Sequence, residues 1–211
     1  MPAPSTLLLF ALAALVLLLT PGPAVLYIVT RSLSQGPRAG LVSGLGIAVA
    51  NLVHIAAATL GVSALLLASA VLVSALKYLG AAYLIYLGIR KILDREAVEE
   101  AAAFRRQPLA KIFSQGILVN LLNPKPALFF LAFLPQFIDL SRGSAAAQTL
   151  MLGLVFVALA VVTDSLYALL AGTLGNWLLG RGRFLRAQGY VTGGVYIGLG
   201  LVAALSGSGK K

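Results

Sequence analysis

Residues 5–30 read STLLLFALAALVLLLTPGPAVLYIVT. Leu7 to Leu19 is wholly apolar, and after Pro23 the apolar sequence resumes at Ala24. The run exceeds the about 20 residues that cross about 30 Å of hydrocarbon as a helix, yet it contains Thr20-Pro21-Gly22-Pro23. Proline removes a backbone donor and its ring clashes with the preceding turn, so a helix must break there. No Lys or Arg precedes Leu7, and no small-x-small cleavage site follows Leu19. The segment therefore reads as a retained first span with a break in it, not as a leader peptide.

The rest of the chain has the same character. Of its 211 residues, 60% are hydrophobic and 10% charged, against about 45–50% and about 25% for soluble domains. One soluble domain of this size buries at most about 70% of its surface, too little to hide this much Leu, Ala, Val and Ile. Soluble, disordered and fibrous classes are excluded, and the chain is read as a membrane protein in contact with the lipid bilayer.

The formal charge of +10 comes from sixteen Lys and Arg against six Asp and Glu. The basic residues sit mostly in short gaps between apolar runs, so they set orientation and do not signal nucleic acid. With no cysteine and one histidine, disulfides, thiolate chemistry and Cys- or His-cluster metal sites are excluded. No nucleophile–base constellation can be assembled, so neither an enzyme nor a cofactor is expected.

Six spans are predicted, over about 5–30, 40–63, 66–90, 111–137, 146–174 and 185–206. Only Gly61 and Ser63 mark the boundary between the second and third. The odd-numbered gaps carry Arg31, Arg38, Arg90, Lys91, Arg95, Arg105, Arg106, Lys111, Arg181, Arg183 and Arg186; the opposite side has Arg142, Lys210 and Lys211. That asymmetry predicts both termini outside the cytoplasm. The expected organisation is one membrane domain, with a three-helix repeat over 1–93, a cytoplasmic linker over 94–110 and a second repeat over 111–206. Within the linker, acids precede Ala101–Ala103 and Arg105-Arg106 follow, the charge order that favours a short helix.

The repeat is visible in matching pieces. Pro21-Gly22-Pro23-Ala24-Val25-Leu26 corresponds to Pro124-Lys125-Pro126-Ala127-Leu128-Phe129, and Gly80-Ala81-Ala82-Tyr83 to Gly193-Gly194-Val195-Tyr196. Three spans per unit force the second copy into the membrane from the opposite side. The predicted fold is thus an all-α polytopic membrane protein, a 3+3 inverted repeat whose first and fourth helices break at Pro-rich motifs. Inverted repeats with broken helices at corresponding positions build alternating-access transporters, with the binding site at the breaks.

Asp164 is the one acidic residue deep in a span, where a carboxylate costs about 3 kcal/mol or more and faces a pathway or a partner. It can carry a proton, face a substrate ammonium, or pair with Lys125 as a structural salt bridge; Tyr167 shares its face. Asn123 and Lys125 bracket Pro124. The asparagine suits either a ligand or a helix cap, and Thr20 before Pro21 invites the same two readings. Gly22 allows close backbone approach. Asn51 and His54 share a face of the second span; His54 is either a satisfied packing residue or a second proton-coupling group. Lys77 reads as a snorkelling cation. Gly36, Gly40, Gly44 and Ala48 read as a helix-packing face. Tyr78, Tyr83, Tyr86 and Tyr190 read as interfacial anchors or cavity walls.

Several longer motifs, in order along nearly the whole chain, carry a family resemblance. They are Thr20-Pro21-Gly22-Pro23 leading to Ser32-Leu33-Ser34-Gln35-Gly36 and Arg38-Ala39-Gly40; Lys77-Tyr78-Leu79-Gly80-Ala81-Ala82-Tyr83-Leu84; Asn120-Leu121-Leu122-Asn123-Pro124-Lys125 followed by Phe129 to Phe137; and Gly193 to Gly200. The chain resembles the LysE/RhtB family of amino-acid exporters, with one departure: Ala50 stands where the family commonly has glycine. The resemblance implies export of amino acids or close derivatives across the bacterial inner membrane, coupled to protons. The expected site is Thr20, Pro21, Gly22, Pro23, Asn51, Asn123, Pro124, Lys125 and Tyr167 for a small zwitterionic solute, with Asp164 and His54 for protons. A homo-oligomer stays open. The rival readings are export of another small solute, such as an organic cation or a metal ion, and a non-transport membrane assembly protein.

Overall fold

The computed structural model describes residues 2–68 and 106–178 continuously, and residues 78–79, 81–82, 85–86, 89–90, 92–93, 190, 194, 197–198, 201 and 204 besides. The spans expected over 66–90 and 185–206, the linker over 94–110, Lys77 and Tyr83 lie largely or wholly outside the described residues. Among the described residues all regular structure is helical. The chain forms α1 (Pro4–Leu19), α2 (Pro23–Gln35), α3 (Pro37–Ala68), α4 (Leu109–Leu121), α5 (Pro124–Leu128) and α6 (Ala145–Leu178). Pro4, Pro23, Pro37 and Pro124 each open a helix, where the missing N–H has no helical partner to lose.

Both expected breaks are present. α1 and α2 meet at 53°, and α4 meets the segment Pro124–Phe137 at 44°. After α5 the backbone rewinds through a π turn, Phe129–Phe133, and a 3₁₀ turn, Leu134–Phe137. Pro135 accounts for the rewinding, since it cannot donate to the carbonyl one turn before it. α3 and α6 are long and apolar enough to cross a membrane, and each bent pair passes the same test when taken as one span.

One boundary differs from expectation. α3 does not turn at Gly61 or Ser63 but continues to Ala68. A lone glycine costs a helix only about 1 kcal/mol, and serine does not break one, so neither residue obliges the helix to stop.

α3 is the hub, packed chiefly against α6 and α4. Small residues let it approach both. A Cβ added to Gly116 would lie 2.7 Å from the Ser43 carbonyl oxygen, and one on Gly46 would collide with the Phe113 carbonyl. On the other side, a Cβ on Gly40 would lie 2.8 Å from Ala168 Cβ. Glycine at a crossing brings backbones into contact, which drives helix association where lipid replaces water. The expected glycine face is therefore only partly correct. Gly36 adopts φ +88° with nothing near its missing side chain; it makes the turn between α2 and α3. Gly46 and Gly116 form the tightest crossing with α4 instead.

An aromatic cluster ties α1 and α6 to the rewound segment after α5. Phe10, Phe129, Phe130, Phe133, Phe137 and Phe156 stack or meet edge-on at centroid distances of 4.8–6.0 Å, contacts worth about 0.5–1.5 kcal/mol each beyond burial. Leu8, Leu12, Leu45, Leu52, Leu154, Leu166 and Leu170 are exposed. So much leucine faces outward only when the outer solvent is hydrocarbon. Tyr78, Tyr86 and Tyr190 are exposed as well, which favours anchors over cavity walls. The fold is all-α, polytopic and built for a membrane, with its helices broken at the Pro-rich motifs.

Candidate functional site

Every broken helix leaves carbonyls without partners, and inside a bilayer these must be satisfied by protein, water or ligand. In an unbroken helix the Leu19 carbonyl would accept from residue 23, which is proline. Tyr167 of α6 supplies the missing donor, its hydroxyl 2.8 Å from Leu19 O. Likewise the Asn120 carbonyl would accept from residue 124, also proline. The Asn123 N–H turns back to it at 3.2 Å, and His54 of α3 supplies a second donor, Nε2 lying 3.0 Å from Asn120 O. A carbonyl only accepts, so Nε2 carries the hydrogen. At both breaks a ring from a continuous helix donates to the freed carbonyl.

The breaks are also joined to each other. Lys125, the second residue of α5, is 7% exposed, and its Nζ donates to the Thr20 carbonyl at the first break. The Thr20 hydroxyl turns back to Val16 O at 2.6 Å. Asn123 is a helix cap: its Oδ1 accepts from the Lys125 backbone N–H at 3.1 Å. Asn120, one turn earlier, donates from Nδ2 to Ile47 O at 3.1 Å and to Asn51 Oδ1 at 2.8 Å, while its Oδ1 accepts from Asn123 Nδ2 at 3.4 Å.

A cavity of about 30 Å³ opens between these groups. Asn51, Asn120, Asn123, Lys125 and Asp164 form its polar walls, and Leu17, Val25, Ile47 and Phe156 are among its apolar ones. The volume holds water-sized molecules, so admitting anything as large as an amino acid requires the walls to part. Asp164 is 5% exposed. No ion pair joins it to Lys125 among the described residues, since the ammonium is turned to Thr20. The structural salt bridge is thus not made; cation and carboxylate face one cavity without closing on each other.

Of the residues predicted from sequence, Asn51, Asn123, Lys125 and Asp164 meet in the cavity wall. Thr20 touches it through Lys125. Tyr167 and His54 stand behind it, each holding a carbonyl. Pro21, Gly22, Pro23 and Pro124 shape the breaks, with Gly22 extended as the residue before α2. Sequence reasoning missed Asn120 as a site residue. The signal was available: a second asparagine one helical turn before Asn123, on the same face.

Arg31 requires a correction. Expected as a loop charge in the first gap, it lies within α2 and is 2% exposed. Its Nη2 donates to Gln107 Oε1 at 3.1 Å and Gln115 Oε1 at 2.9 Å, and its guanidinium lies 5.4 Å from the Tyr27 ring centre. Gln35 pairs with the Gln107 backbone in both directions, at 2.8 and 2.9 Å. The loop is a single residue, Gly36, because Pro37 restarts the helix at once.

Among the described residues no three His, Cys, Asp or Glu come together to hold a metal. The family model for the LysE type translocator matches residues 15–207. An uncharacterized membrane protein of Vibrio cholerae is 32% identical over 203 residues, covering 93% of this chain and 95% of that protein. A homoserine/homoserine lactone efflux protein of Salmonella typhi is 32% identical over 207 residues, 95% of each chain. A leucine efflux protein of Salmonella typhimurium is 32% identical over 134 residues, 63% of each chain. No solved structure matches. Broken membrane helices around a polar cavity, together with these likenesses, make the protein a multi-pass transporter of the bacterial inner membrane related to amino-acid efflux proteins, and the chain belongs to the LysE type translocator family.

Proposed function

We propose that the protein exports an amino acid or a close derivative from the cytoplasm by alternating access, driven by the proton-motive force. The observation that carries this reading is one buried cation and one buried carboxylate, Lys125 and Asp164, facing a single cavity at two joined helix breaks. A zwitterion has the matching pair of charges. Its carboxylate is held by Lys125 and its ammonium by Asp164, with the amides of Asn51 and Asn123 beside them. Tyr167, Thr20 and the prolines keep the breaks in shape, and His54 holds the Asn120 carbonyl.

In this scheme the chain is six spans in a 3+3 inverted repeat with both termini outside. Rocking of the repeats widens the cavity towards one side and then the other. A proton arriving at Asp164 from outside neutralises the carboxylate, the ammonium loses its partner, and the substrate leaves. The proton is released inward as the site resets, so one direction of solute flow is tied to the opposite flow of protons.

The test is efflux from vesicles containing the purified protein, preloaded with a mixture of amino acids. Selective loss of some amino acids, abolished when the proton gradient is collapsed, is the expected result. Folded, oriented protein that loses nothing beyond the leak of protein-free vesicles would overturn the proposal.

A further inference from the structure

The charge inventory around the cavity says what kind of side chain the cargo carries. The chain has six acidic residues: Asp94, Glu96, Glu99, Glu100, Asp139 and Asp164. The first four lie in the segment between the predicted repeats. Asp139 is at an exposed turn, paired with Arg142 at 3.5 Å. No acidic residue occurs before Asp94 or after Asp164, so no predicted span offers the cavity a second carboxylate. In the site proposed above, Asp164 is committed to the α-ammonium. A lysine or arginine cargo would bring a second cation into a buried space with nothing to neutralise it, a costly arrangement inside a membrane.

Among the described residues the wall left for the side chain is neutral, and its hydrogen bonds define how one residue presents itself. Ile47 O and Asn51 both receive hydrogens from Asn120 Nδ2. A main-chain carbonyl can only accept, so that atom of Asn120 is the NH₂ group, and Asn51 must offer its oxygen to it. Asn51 Nδ2 is left with no protein acceptor among the described residues, and Asn51 lines the cavity.

We propose that the cargo is a monoamino, monocarboxylic amino acid with an uncharged side chain, and that Asn51 is a specificity-determining residue whose neutral amide faces that side chain. This rests on the proposed export of a zwitterion. It also makes a constructive demand: Asn51→Asp keeps the oxygen that accepts from Asn120 and replaces the NH₂ with a carboxylate oxygen. That substitution supplies the missing second acid without changing the shape of the site.

The experiment loads vesicles containing the full chain with leucine, threonine, lysine and arginine at equal concentration. A proton gradient is imposed with the membrane potential clamped at zero, so that cargo charge does not alter the driving force. The expected result is efflux of leucine or threonine favoured over lysine and arginine by roughly a hundredfold, the scale set by an unpaired charge within the membrane. In N51D the ratio of lysine to threonine efflux should rise at least about tenfold. Lysine or arginine leaving the wild-type vesicles as fast as threonine would overturn this inference while leaving amino-acid export intact. Efflux of none of the four would instead overturn the export reading itself. An N51D protein that still exports threonine but gains no lysine efflux would overturn the role of Asn51. The wild-type profile tests the charge argument whether or not the variant folds.

Discussion

Replacing Lys125 by methionine isolates the tie between the two helix breaks. Methionine keeps nearly the same length and volume, so the charge and its hydrogen bond are lost with little change in shape. The Thr20 carbonyl then has no donor: the Thr20 hydroxyl is already engaged with Val16 and its N–H with Leu17. A charge-assisted bond of this kind contributes about 1.5–3 kcal/mol. Asp164 also loses the cation that faces it across the cavity, and leaving a buried charge without a compensating one brings the total to about 3–5 kcal/mol. For a chain of this size that lowers the thermal midpoint by roughly 6–20 °C, read by melting of the purified protein in detergent. The double variant Lys125→Met/Asp164→Asn removes the stranded charge as well. It should recover at least about 1 kcal/mol of the single variant's loss, a coupling visible only in the full cycle. Gradient-driven efflux should fall at least about tenfold in all three variants of the cycle. A Lys125→Met protein that melts within a degree of the wild type, or single effects that simply add, would refute the argument that these two groups share one site.

Other substitutions separate proton handling from architecture. Asp164→Asn should lower gradient-driven efflux at least about tenfold, the usual scale for losing a positioned proton-transfer group, whereas His54→Gln should retain it, because glutamine can still donate to the Asn120 carbonyl; equal rates for the two variants in the vesicle assay would contradict this. Tyr167→Phe should cost about 1–3 kcal/mol by leaving Leu19 O without its donor, measured as a lower melting midpoint with no change in substrate preference. Gly46→Ala should destabilise by about 1–3 kcal/mol through overpacking against α4. Gly61→Ala, with open space around it, should stabilise by up to about 1 kcal/mol through helix propensity, and a reversed order of melting midpoints would show that the α3–α4 crossing is not tight.

The breaks were readable because proline acts on its own chain: it withholds a hydrogen from the carbonyl four residues back, whatever surrounds it. Pro21, Pro23 and Pro124 therefore announced both interruptions, and composition alone announced the membrane. The rarity of acid made Asp164 conspicuous, since a carboxylate within an apolar run has to face something. What repairs each break was not readable. The donors come from far along the chain, Tyr167 to Leu19 across 148 residues, Lys125 to Thr20 across 105 and His54 to Asn120 across 66. Sequence left Asn123 as cap or ligand and Lys125 as salt-bridge partner or substrate contact; tertiary packing made Asn123 a cap and turned Lys125 towards Thr20. Arg31 looked like a loop charge because its neighbours are polar, and only the seating of α2 against Gln107 and Gln115 buried it. Gly46 and Gly116 are ordinary glycines until two helices cross at them. The local chemistry of proline and the cost of charge in lipid are properties of the sequence; which orphaned group meets which donor depends on how distant helices pack, and that was decided by the tertiary structure.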